Sequence, residues 1–464
     1  LTRAGLQSCR VRRATRSDFF LGVSMKLYLF QAMLVLPMLI LVAGISAQCL
    51  TGNDSPTTMS ATSKTSLIDS RFNFALESLR KAALMETQDN IFFSPHSIHQ
   101  ALTLAYFGAR GTTEDSLKKA LRIPDDLSKV EVQRFYAYEM FLNNTSPNYE
   151  YNSANRLWIT DAKKVRECML DFFDGQLEKT DFHTNPSATR DRINNWVSNV
   201  TKGHIRDLLP PDAIDESTDL VLANAVYFKG FWYSRFDPAN SKRDLFYSSG
   251  SQNSVVTFMR QKRSFNHVIS EVLGSHVLEL PYKGQEVSMY ILLPPFATAR
   301  SANDAVQTPA DRDGVRQLIE RIGTEKGSQE LRELLDDGMP SREVEVSLPK
   351  FEIERDLPIG SLLHAMGAGI VVTPNQADLR GFLEDGQGNL HLGDAIHHAK
   401  IEVSEEGTTA VAATAIFTFR SSRPLEPAIF NANHPFLYFI YEKPTRTILF
   451  SGVYRGPNPI PNKA

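Results

Sequence analysis

The period of the apolar residues changes along this chain, and this change limits the possible folds more than any other feature. Residues 94–108 begin with Ser-Pro, a typical helix start, and continue with apolar residues at helical spacing. Residues 191–209 predict another helix, around Ile193, Trp196 and Val200. Residues 287–293 and 344–348 instead alternate apolar and polar residues, and 220–230 and 447–454 are apolar runs typical of buried strands. Because helices come early and strands late, without regular βαβ alternation, the sequence predicts an α+β fold.

Composition excludes several classes of protein. Of 464 residues, 42% are hydrophobic and 22% are charged, which is typical of a globular domain. The 50 basic and 53 acidic residues give a net charge of -3, so no basic excess points to nucleic acid. We find no internal repeat and no linker after residue 67. One large domain over 67–464 is therefore the preferred interpretation.

The first 66 residues resemble targeting and tail segments rather than folded structure. Residues 1–24 carry five arginines without apolar periodicity and are expected to be a non-structural upstream stretch. Residues 25–47 start with Met-Lys, continue with an apolar stretch and end in small residues, which predicts a secretory signal peptide. An uncleaved membrane anchor is the alternative. The polar residues 48–66 predict a disordered tail, so we expect a secreted, extracellular protein without a membrane span.

The cysteines and sequons of the mature chain give two further expectations. After cleavage only Cys49 and Cys168 remain, and we expect two unpaired thiols. Asn143, Asn144 and Asn199 begin N-x-Ser/Thr sequons, which are plausible glycosylation sites in a secreted protein.

A search for catalytic and metal-binding motifs finds none. The sequence has no G-x-S-x-G, H-E-x-x-H, Walker or C-x-x-C motif. His397 and His398 are adjacent, and on a strand they would point to opposite faces, so a shared metal ion is not expected. Arg260, Lys262 and Arg263 form a short basic cluster, interpreted as a solvated turn between strands, with a glycosaminoglycan patch as the alternative.

The most informative segment covers residues 401–427. It begins as an alternating strand, which Glu405, Glu406 and Gly407 interrupt. The residues that follow, 408–415, are all small or β-branched, and none is charged. An ordinary exposed loop would be polar and rich in Gly and Pro, whereas small side chains on both faces suit a segment that must slot between existing strands. A buried Ala/Thr-rich strand is the alternative.

Four separated motifs resemble those of the serpin family, and the resemblance extends from about residue 67 to 459. They are the stretches 90–98, 224–230 with Trp232, 348–354 and 430–440, in the family's order. The resemblance implies a single-domain serpin fold with three β-sheets, about eight or nine helices and an exposed reactive-centre loop.

The resemblance also implies a function. A target serine protease would attack the exposed loop as a substrate and form a covalent complex with it. The loop would then insert into the main sheet and distort the protease before deacylation, so each inhibitor molecule would act once. Such a protein is not an enzyme and needs no cofactor or metal, and we expect a monomer.

Individual positions follow from the resemblance. The positions that match the proximal hinge and the small stretch beyond it are Glu405, Glu406, Gly407, Thr408, Ala410, Ala412 and Ala413. Ser94, Ser97, Asn224 and His397 match a polar cluster beneath the sheet where its strands part, the shutter. Trp232 matches the residue where the loop first enters, the breach.

The scissile bond has two candidates. The family's usual hinge length, counted from Glu405, gives Ser421-Ser422 and an elastase- or chymotrypsin-like target. Side-chain chemistry favours Arg420-Ser421, since Arg suits the acidic pocket of a trypsin-like protease.

A non-inhibitory serpin and a secreted hydrolase are the alternative functions. A non-inhibitory serpin, such as a carrier or chaperone, would tend to carry Pro, charge or bulk after Gly407, whereas residues 408–415 of this chain are small or β-branched and uncharged. A secreted hydrolase lacks any supporting motif. Binding of a glycosaminoglycan is possible in this family. However, Arg134 is the only basic residue in 130–144, so strong binding is not expected.

Overall fold

The computed structural model describes residues 49–51, 59–142, 148–173, 175–248, 253–296, 314–393, 395–406 and 426–457. Among these residues, no helix combines the length and the apolar character needed to cross a bilayer. All helices and strands lie in the larger compact unit, Thr57–Ala464.

The described residues contain nine α-helices, most of them in the first half of the chain. Several begin at a side-chain cap, as at Ser94, whose Oγ accepts a hydrogen bond from the Ser97 N–H at 3.1 Å. The helices are α1 Ala61–Met85, α2 Pro95–Gly108, α3 Gly111–Ala120, α4 Lys129–Leu142, α5 Glu167–Phe173, α6 Pro186–Val200, α7 Val315–Ile322, α8 Glu325–Asp336 and α9 Ile359–Ala365.

Fourteen strands are assigned in the same residues. They are β1 Ile91–Phe93, β2 Tyr149–Thr160, β3 Leu177–Thr180, β4 Leu220–Gly230, β5 Lys242–Phe246, β6 Ser254–Ser270, β7 Ser275–Pro281, β8 Val287–Leu293, β9 Ser341–Pro349, β10 Phe351–Pro358, β11 Ile396–Val403, β12 Ala428–Asn431, β13 Phe436–Glu442 and β14 Thr447–Tyr454.

These strands form two sheets. The five-stranded sheet has the order β10-β11-β4-β2-β3. The nine-stranded sheet has the order β1-β14-β13-β8-β7-β6-β9-β12, with β5 also paired to β6. The 17-residue strand β6 pairs with β5 and β9 along one part and with β7 along the other. The resemblance predicted three sheets. Strand β6 joins two of them into the single nine-stranded sheet.

Two apolar clusters hold the sheets and helices together. The larger one joins residues of both sheets, among them Phe351 of β10, Ile401 of β11 and Tyr438 of β13. The smaller one packs α6 against the five-stranded sheet through Ile193 and Val197. The five-stranded sheet is thus covered on one face by the second sheet and on the other by α6, as α+β domains require.

Several sequence expectations are confirmed at the level of elements. The strands expected at 220–230, 287–293 and 447–454 are present, and α2 ends at Gly108.

Four other expectations need correction. Helix α1 begins at Ala61 and is capped by Ser60. The prediction of a disordered tail over 48–66 is therefore wrong for residues 61–66. Helix α6 ends at Val200 rather than near 209, because Lys202 and Gly203 adopt positive φ angles of 52° and 81°.

The basic cluster at 260–263 lies within strand β6 and is not a turn. Both Cys49 and Cys168 are disulfide-bonded, contrary to the expectation of two unpaired thiols. The sequence contained no sign of a disulfide bond, because Cys49 is followed by a polar stretch that predicts a disordered tail.

Candidate functional site

The candidate site is the boundary between β4 and β11 in the five-stranded sheet, here called the seam. Along it, Ala223–Phe228 pair in parallel with Ile396–Ile401. The strands that flank the seam, β2 and β10, are antiparallel to their neighbours β4 and β11. Parallel pairing is slightly less stable per residue than antiparallel pairing. The seam is therefore a suitable place for the sheet to open.

Beneath the seam lies a buried polar cluster formed by Ser94, Ser97, Asn224 and His397. All four side chains are fully buried. The Ser94 N–H donates to His397 Nε2 at 2.9 Å, and Asn224 Nδ2 donates to Ser97 Oγ at 2.9 Å. His397 Nδ1 also contacts Asn224 Oδ1. The structure therefore brings these four predicted residues together in one hydrogen-bonded chain from α2 to both strands of the seam.

The direction of these hydrogen bonds fixes the state of His397. Since Nε2 accepts the Ser94 N–H, the ring proton must be on Nδ1, where it is donated to Asn224 Oδ1. Burial, with the nearby charge of His398, lowers the pKa of His397 to about 3. The imidazole is therefore neutral at physiological pH, as this single arrangement of donors and acceptors requires.

Two further side chains in this cluster were not identified from the sequence. Ser97 Oγ lies 3.1 Å from both Ser153 Oγ and Asn155 Oδ1, and both of these residues are on β2. Asn224 Nδ2 also donates to Asn155. The sequence carried no signal for their orientation, because their neighbours Asn152 and Arg156 on β2 are polar as well.

At the upper end of the seam, Trp232 contacts the chain that leaves β11. Its indole Nε1–H donates to the carbonyl oxygen of Ser404 at 2.8 Å. The indole ring stacks on Tyr282, with 4.6 Å between ring centroids. Trp232 is 5% exposed, so its side chain closes the upper end of the seam.

Glu405, the first of the predicted hinge residues, is held in place by an ion pair. Its carboxylate lies 2.6 Å from Lys350 Nζ and accepts a hydrogen bond from Ser241 Oγ at 2.6 Å. Burial opposes ionisation, but the bonds to Lys350 and Ser241 outweigh it and lower the pKa of Glu405. Neither partner was identified from the sequence, because both lie far from the hinge in the chain.

The next hinge residue, Glu406, differs from Glu405. It is exposed and has no ion pair among the described residues. The other hinge residues and the candidate reactive bond lie outside the described residues; they are Gly407, Thr408, Ala410, Ala412, Ala413, Arg420, Ser421 and Ser422.

The neighbours His397 and His398 point to opposite faces of β11, as expected. His398 Nδ1 lies 2.6 Å from Asp356 and Nε2 lies 3.1 Å from Glu354, both on β10. Burial opposes its charge, but the two carboxylates outweigh it and raise the pKa of His398. His398 thus joins β10 to β11 on the face opposite His397.

The remaining predicted sites concern glycosylation, glycosaminoglycan binding and metal binding. Asn199 is exposed near the end of α6, as a glycosylated residue must be, whereas Asn143 and Asn144 lie outside the described residues. In α4, Lys129 is buried and lies 2.8 Å from Glu114, and Arg134 is half-buried. Among the residues that the structure describes, no cluster of side chains could hold a metal ion.

Comparisons with known proteins identify the family. A family model described as Serpin (serine protease inhibitor) matches residues 69–457. The chain therefore belongs to the serpin family, as the four sequence motifs predicted.

The similarity to individual relatives extends over most of this chain and most of each relative. Serine protease inhibitor 88Ea of Drosophila melanogaster is 36% identical over 406 residues, which are 84% of this chain and 90% of the relative. Human antithrombin-III is 32% identical over 381 residues, 80% of this chain and 77% of the relative. The structure of Serpin48, described as a highly specific serpin in the insect Tenebrio molitor, has a TM-score of 0.69 and 27% identity. It covers 87% of this chain and 100% of that structure.

Proposed function

We propose that this protein is a secreted serine protease inhibitor that acts once, by inserting its cleaved reactive-centre loop into the five-stranded sheet. The observation that carries the proposal is the position of the loop's origin. The chain leaves β11 at Val403, beside the parallel seam, and continues as residues 408–415, which are small and uncharged. The relatives named as serine protease inhibitor and antithrombin support the same class of target.

The topology explains how insertion would stabilise the sheet. A strand that follows β11 after a reversal runs antiparallel to β11, and also to β4, since those two are parallel. Insertion replaces one parallel ladder by two antiparallel ladders, which are slightly more stable per residue. The inserted strand also buries apolar side chains, at about 25 cal/mol per Å² of apolar area removed from water.

The contacts at the seam would govern when it opens. In the intact protein, the Trp232–Ser404 hydrogen bond and the Glu405–Lys350 ion pair hold the start of the loop outside the sheet. The buried polar cluster joins the two strands of the seam from below. Hydroxyl, amide and imidazole groups can exchange partners as the strands separate, so opening need not leave unpaired polar atoms.

The chemistry of trapping is supplied by the target. The protease serine would attack the carbonyl carbon of the scissile bond, forming an ester and releasing the amino group of the next residue. Because the loop's new end would remain esterified, its insertion would carry the protease along the sheet. Hydrolysis of the ester would be slow once the protease's oxyanion-hole geometry is distorted, since that geometry supplies much of the rate.

Separate observations support secretion. Disulfides form and persist in oxidising environments such as the extracellular space, and both Cys49 and Cys168 are disulfide-bonded. The signal-like segment 25–47 and the exposed sequon at Asn199 agree with secretion. The buried Lys129 and half-buried Arg134 argue against strong glycosaminoglycan binding by α4.

A denaturing gel tests this proposal directly. The mature protein is mixed with trypsin and with pancreatic elastase, and the released C-terminal peptide is weighed by mass spectrometry. We expect an SDS-resistant complex, with a peptide that begins at Ser421 or Ser422. Protease whose catalytic serine has been blocked is the control and should give no complex.

Cleavage that gives neither a complex nor a rise in thermal stability would contradict the proposal and favour a carrier or chaperone. Cleavage with a rise in stability but without a complex would indicate the wrong target protease, and other serine proteases would then be tested.

A further inference from the structure

Gln100 of α2 carries a buried side-chain amide whose nitrogen is unpaired. Gln100 is 5% exposed, and its Nε2 has no hydrogen-bond partner among the residues that the structure describes. Its Oε1, by contrast, accepts a hydrogen bond from Asn155 Nδ2 of β2 at 3.3 Å. An amide that turned over would exchange the positions of these two atoms. Because an unpaired buried N–H is rare and costly in folded proteins, the observed orientation must be imposed by the surroundings.

Asn155 belongs to a row of polar residues that lie side by side on neighbouring strands. The pairing of β2 with β4 places Asn155 opposite Asn224, and the pairing of β4 with β11 places Asn224 opposite His397. All three side chains form hydrogen bonds with α2 or with its N-cap residue. We call this row, together with Gln100, the relay. The relay crosses the seam between Asn224 and His397.

A single backbone N–H sets the direction of every hydrogen bond in the relay. The Ser94 N–H can only donate, so His397 accepts at Nε2 and donates from Nδ1 to Asn224 Oδ1. Asn224 then presents Nδ2 to Asn155 Oδ1, which leaves Asn155 Nδ2 to face Gln100 Oε1. Each amide is thus oriented by the group before it. The unpaired Gln100 Nε2 is the last consequence of a constraint that begins on the other side of the seam.

Insertion of a strand into the seam would break the relay at one point. Strands β2 and β4 would remain neighbours, so Asn224, Asn155 and Gln100 would stay together, while β11 would carry His397 away. Asn224 Oδ1 would then lose the donor that orients it, and the three amides could turn over.

The reversed direction is the better one for the three amides alone. Gln100 Nε2 would donate to Asn155 Oδ1, and Asn155 Nδ2 would donate to Asn224 Oδ1. The number of bonds among the amides would be unchanged. However, the unpaired atom of Gln100 would become a carbonyl oxygen, which folded proteins tolerate more often than an unpaired N–H.

We propose that Gln100 is a positioning residue for loop insertion, because the closed seam holds its amide in the unfavourable direction and opening of the seam releases it. The inference rests on the proposed function, since only insertion separates His397 from Asn224. The unpaired Nε2 raises the free energy of the closed sheet, and the same atom gains Asn155 as an acceptor in the open sheet. Gln100 thus favours opening although it lies on α2, outside the sheet.

The test compares Gln100→Met with the unchanged protein. Methionine is unbranched like glutamine and has no polar atom that requires a partner, so the variant removes both the unpaired nitrogen and the reversed bond. Asn155 Nδ2 keeps Ser153 Oγ as an acceptor at 3.1 Å. The quantities measured are the melting temperatures of the intact and the loop-cleaved protein, the rate of loop cleavage, and the number of inhibitor molecules consumed per protease trapped.

We expect the effects to separate the closed sheet from the inserted one. Intact Gln100→Met should melt at the same temperature as the unchanged protein or above it, because the unpaired nitrogen is gone. Cleavage should raise its melting temperature less. Insertion should slow about two- to tenfold, the size expected for one hydrogen bond, so more inhibitor is consumed per protease trapped. The rate at which the protease cuts the loop should not change.

Thr103→Val is the matched control. Thr103 is also buried on α2, but its hydroxyl donates to the His99 carbonyl oxygen at 2.7 Å, within the helix, and takes no part in the relay. This variant should leave the consumption of inhibitor unchanged. An equal rise with Thr103→Val would mean that any loss of a buried polar group from α2 slows insertion, which would overturn the inference.

A spectroscopic measurement on the unchanged protein follows the amide itself. The protein is labelled with ¹⁵N-glutamine, and the signal of the Gln100 side chain is assigned by its absence in Gln100→Met. Its proton resonance should move downfield on cleavage, because the N–H becomes hydrogen-bonded. A purely structural role for Gln100 would not produce this shift.

The outcomes separate this inference from the proposed function. If cleavage stabilises the unchanged protein and traps protease, but Gln100→Met behaves identically, insertion stands and the inference is wrong. The inference is equally wrong if Gln100→Met destabilises the intact and cleaved forms alike, or if the amide signal does not shift. If cleavage of the unchanged protein gives neither a complex nor a gain in stability, insertion itself fails and the inference fails with it.

Discussion

At the scale of single residues, His397 is the most constrained side chain of the seam. It accepts from Ser94 and contacts Asn224 only as a neutral ring with its proton on Nδ1. The ordinary pKa of 6.5 falls to about 3 in the folded protein. Folding therefore favours the neutral ring: the stabilisation is complete above pH 6.5 and is lost as the pH falls towards 3.

The first prediction concerns acid. As the pH falls from 6 to 4, His397 should contribute up to about 1.4 kcal/mol per pH unit to the loss of unfolding free energy. His397→Gln should lower the stability at pH 7 by about 1–3 kcal/mol and give a shallower acid slope. Denaturant unfolding across this pH range measures both. His204→Gln, which changes an exposed histidine, is the control and should keep the original slope.

The second prediction concerns the hinge. Glu405→Lys places a cation beside Lys350 and removes the acceptor for Ser241, so the chain should detach from the upper end of the seam. We expect a loss of about 1 kcal/mol or more in stability and spontaneous self-association through the opened sheet. Size-exclusion chromatography during mild heating measures the association.

Glu406→Lys is the matched control for this prediction. It makes the same change of charge at the adjacent, exposed position, and should leave the protein monomeric. Equal association of the two variants would mean that net charge, rather than the Lys350 contact, is responsible.

At the scale of elements, helix α6 covers one face of the five-stranded sheet next to the seam. Arg156 of β2 lies over Trp196 of α6, with 4.3 Å from the guanidinium carbon to the ring centroid. Trp196 packs at 75° against Trp158, and Arg192 lies 5.4 Å from the Trp158 ring. Ile396, the first residue of β11, packs against the same apolar cluster. These contacts bridge α6 to the sheet beside the lower part of the seam, and we expect the helix to shift when a strand enters.

The third prediction tests this bridge. Trp196→Ala removes a half-buried aromatic side chain and its contact with Arg156, and should cost about 2 kcal/mol of stability. It should also speed hydrogen exchange in α6 and accelerate loop insertion after cleavage. Arg190→Ala removes only the ion pair with the exposed Asp191 on the same helix and is the control. Unchanged exchange in α6 would show that the aromatic contacts do not hold the helix.

Sequence patterns predicted elements better than they predicted contacts. The apolar run 220–230 and the Ser94 cap were sufficient to locate β4 and the start of α2. The end of α6 was missed, because two consecutive positive φ angles at Lys202 and Gly203 terminate it without a proline. The partners of Glu405 and His397 could not be found by spacing, since each bond joins segments far apart in the chain. Only the resemblance to the serpin family predicted that Ser94, Asn224 and His397 lie in one polar cluster.

At the scale of the whole molecule, the proposed function requires two stable arrangements of one sequence. The intact sheet has five strands with the seam closed, and the inserted sheet would have six. If residues 404–407 form a four-residue reversal after β11, Thr408 would come opposite Val403 in the inserted strand. The same count would place Ala412 opposite Ala399, which is fully buried, and Ala413 on the opposite face of the sheet.

The last prediction uses this alternation. Ala412→Arg would bury a charge against Ala399 and should stop insertion, while the intact protein keeps its stability and the protease still cuts the loop. The protein then becomes a substrate, with no SDS-resistant complex and no gain in melting temperature on cleavage. Ala413→Arg adds the same charge and volume on the other face and should retain most of the complex. If both variants inhibit equally, the register is wrong; if neither does, the segment tolerates no bulk on either face. Loss of inhibition at 412 alone would show that one face of the loop enters the core of the sheet.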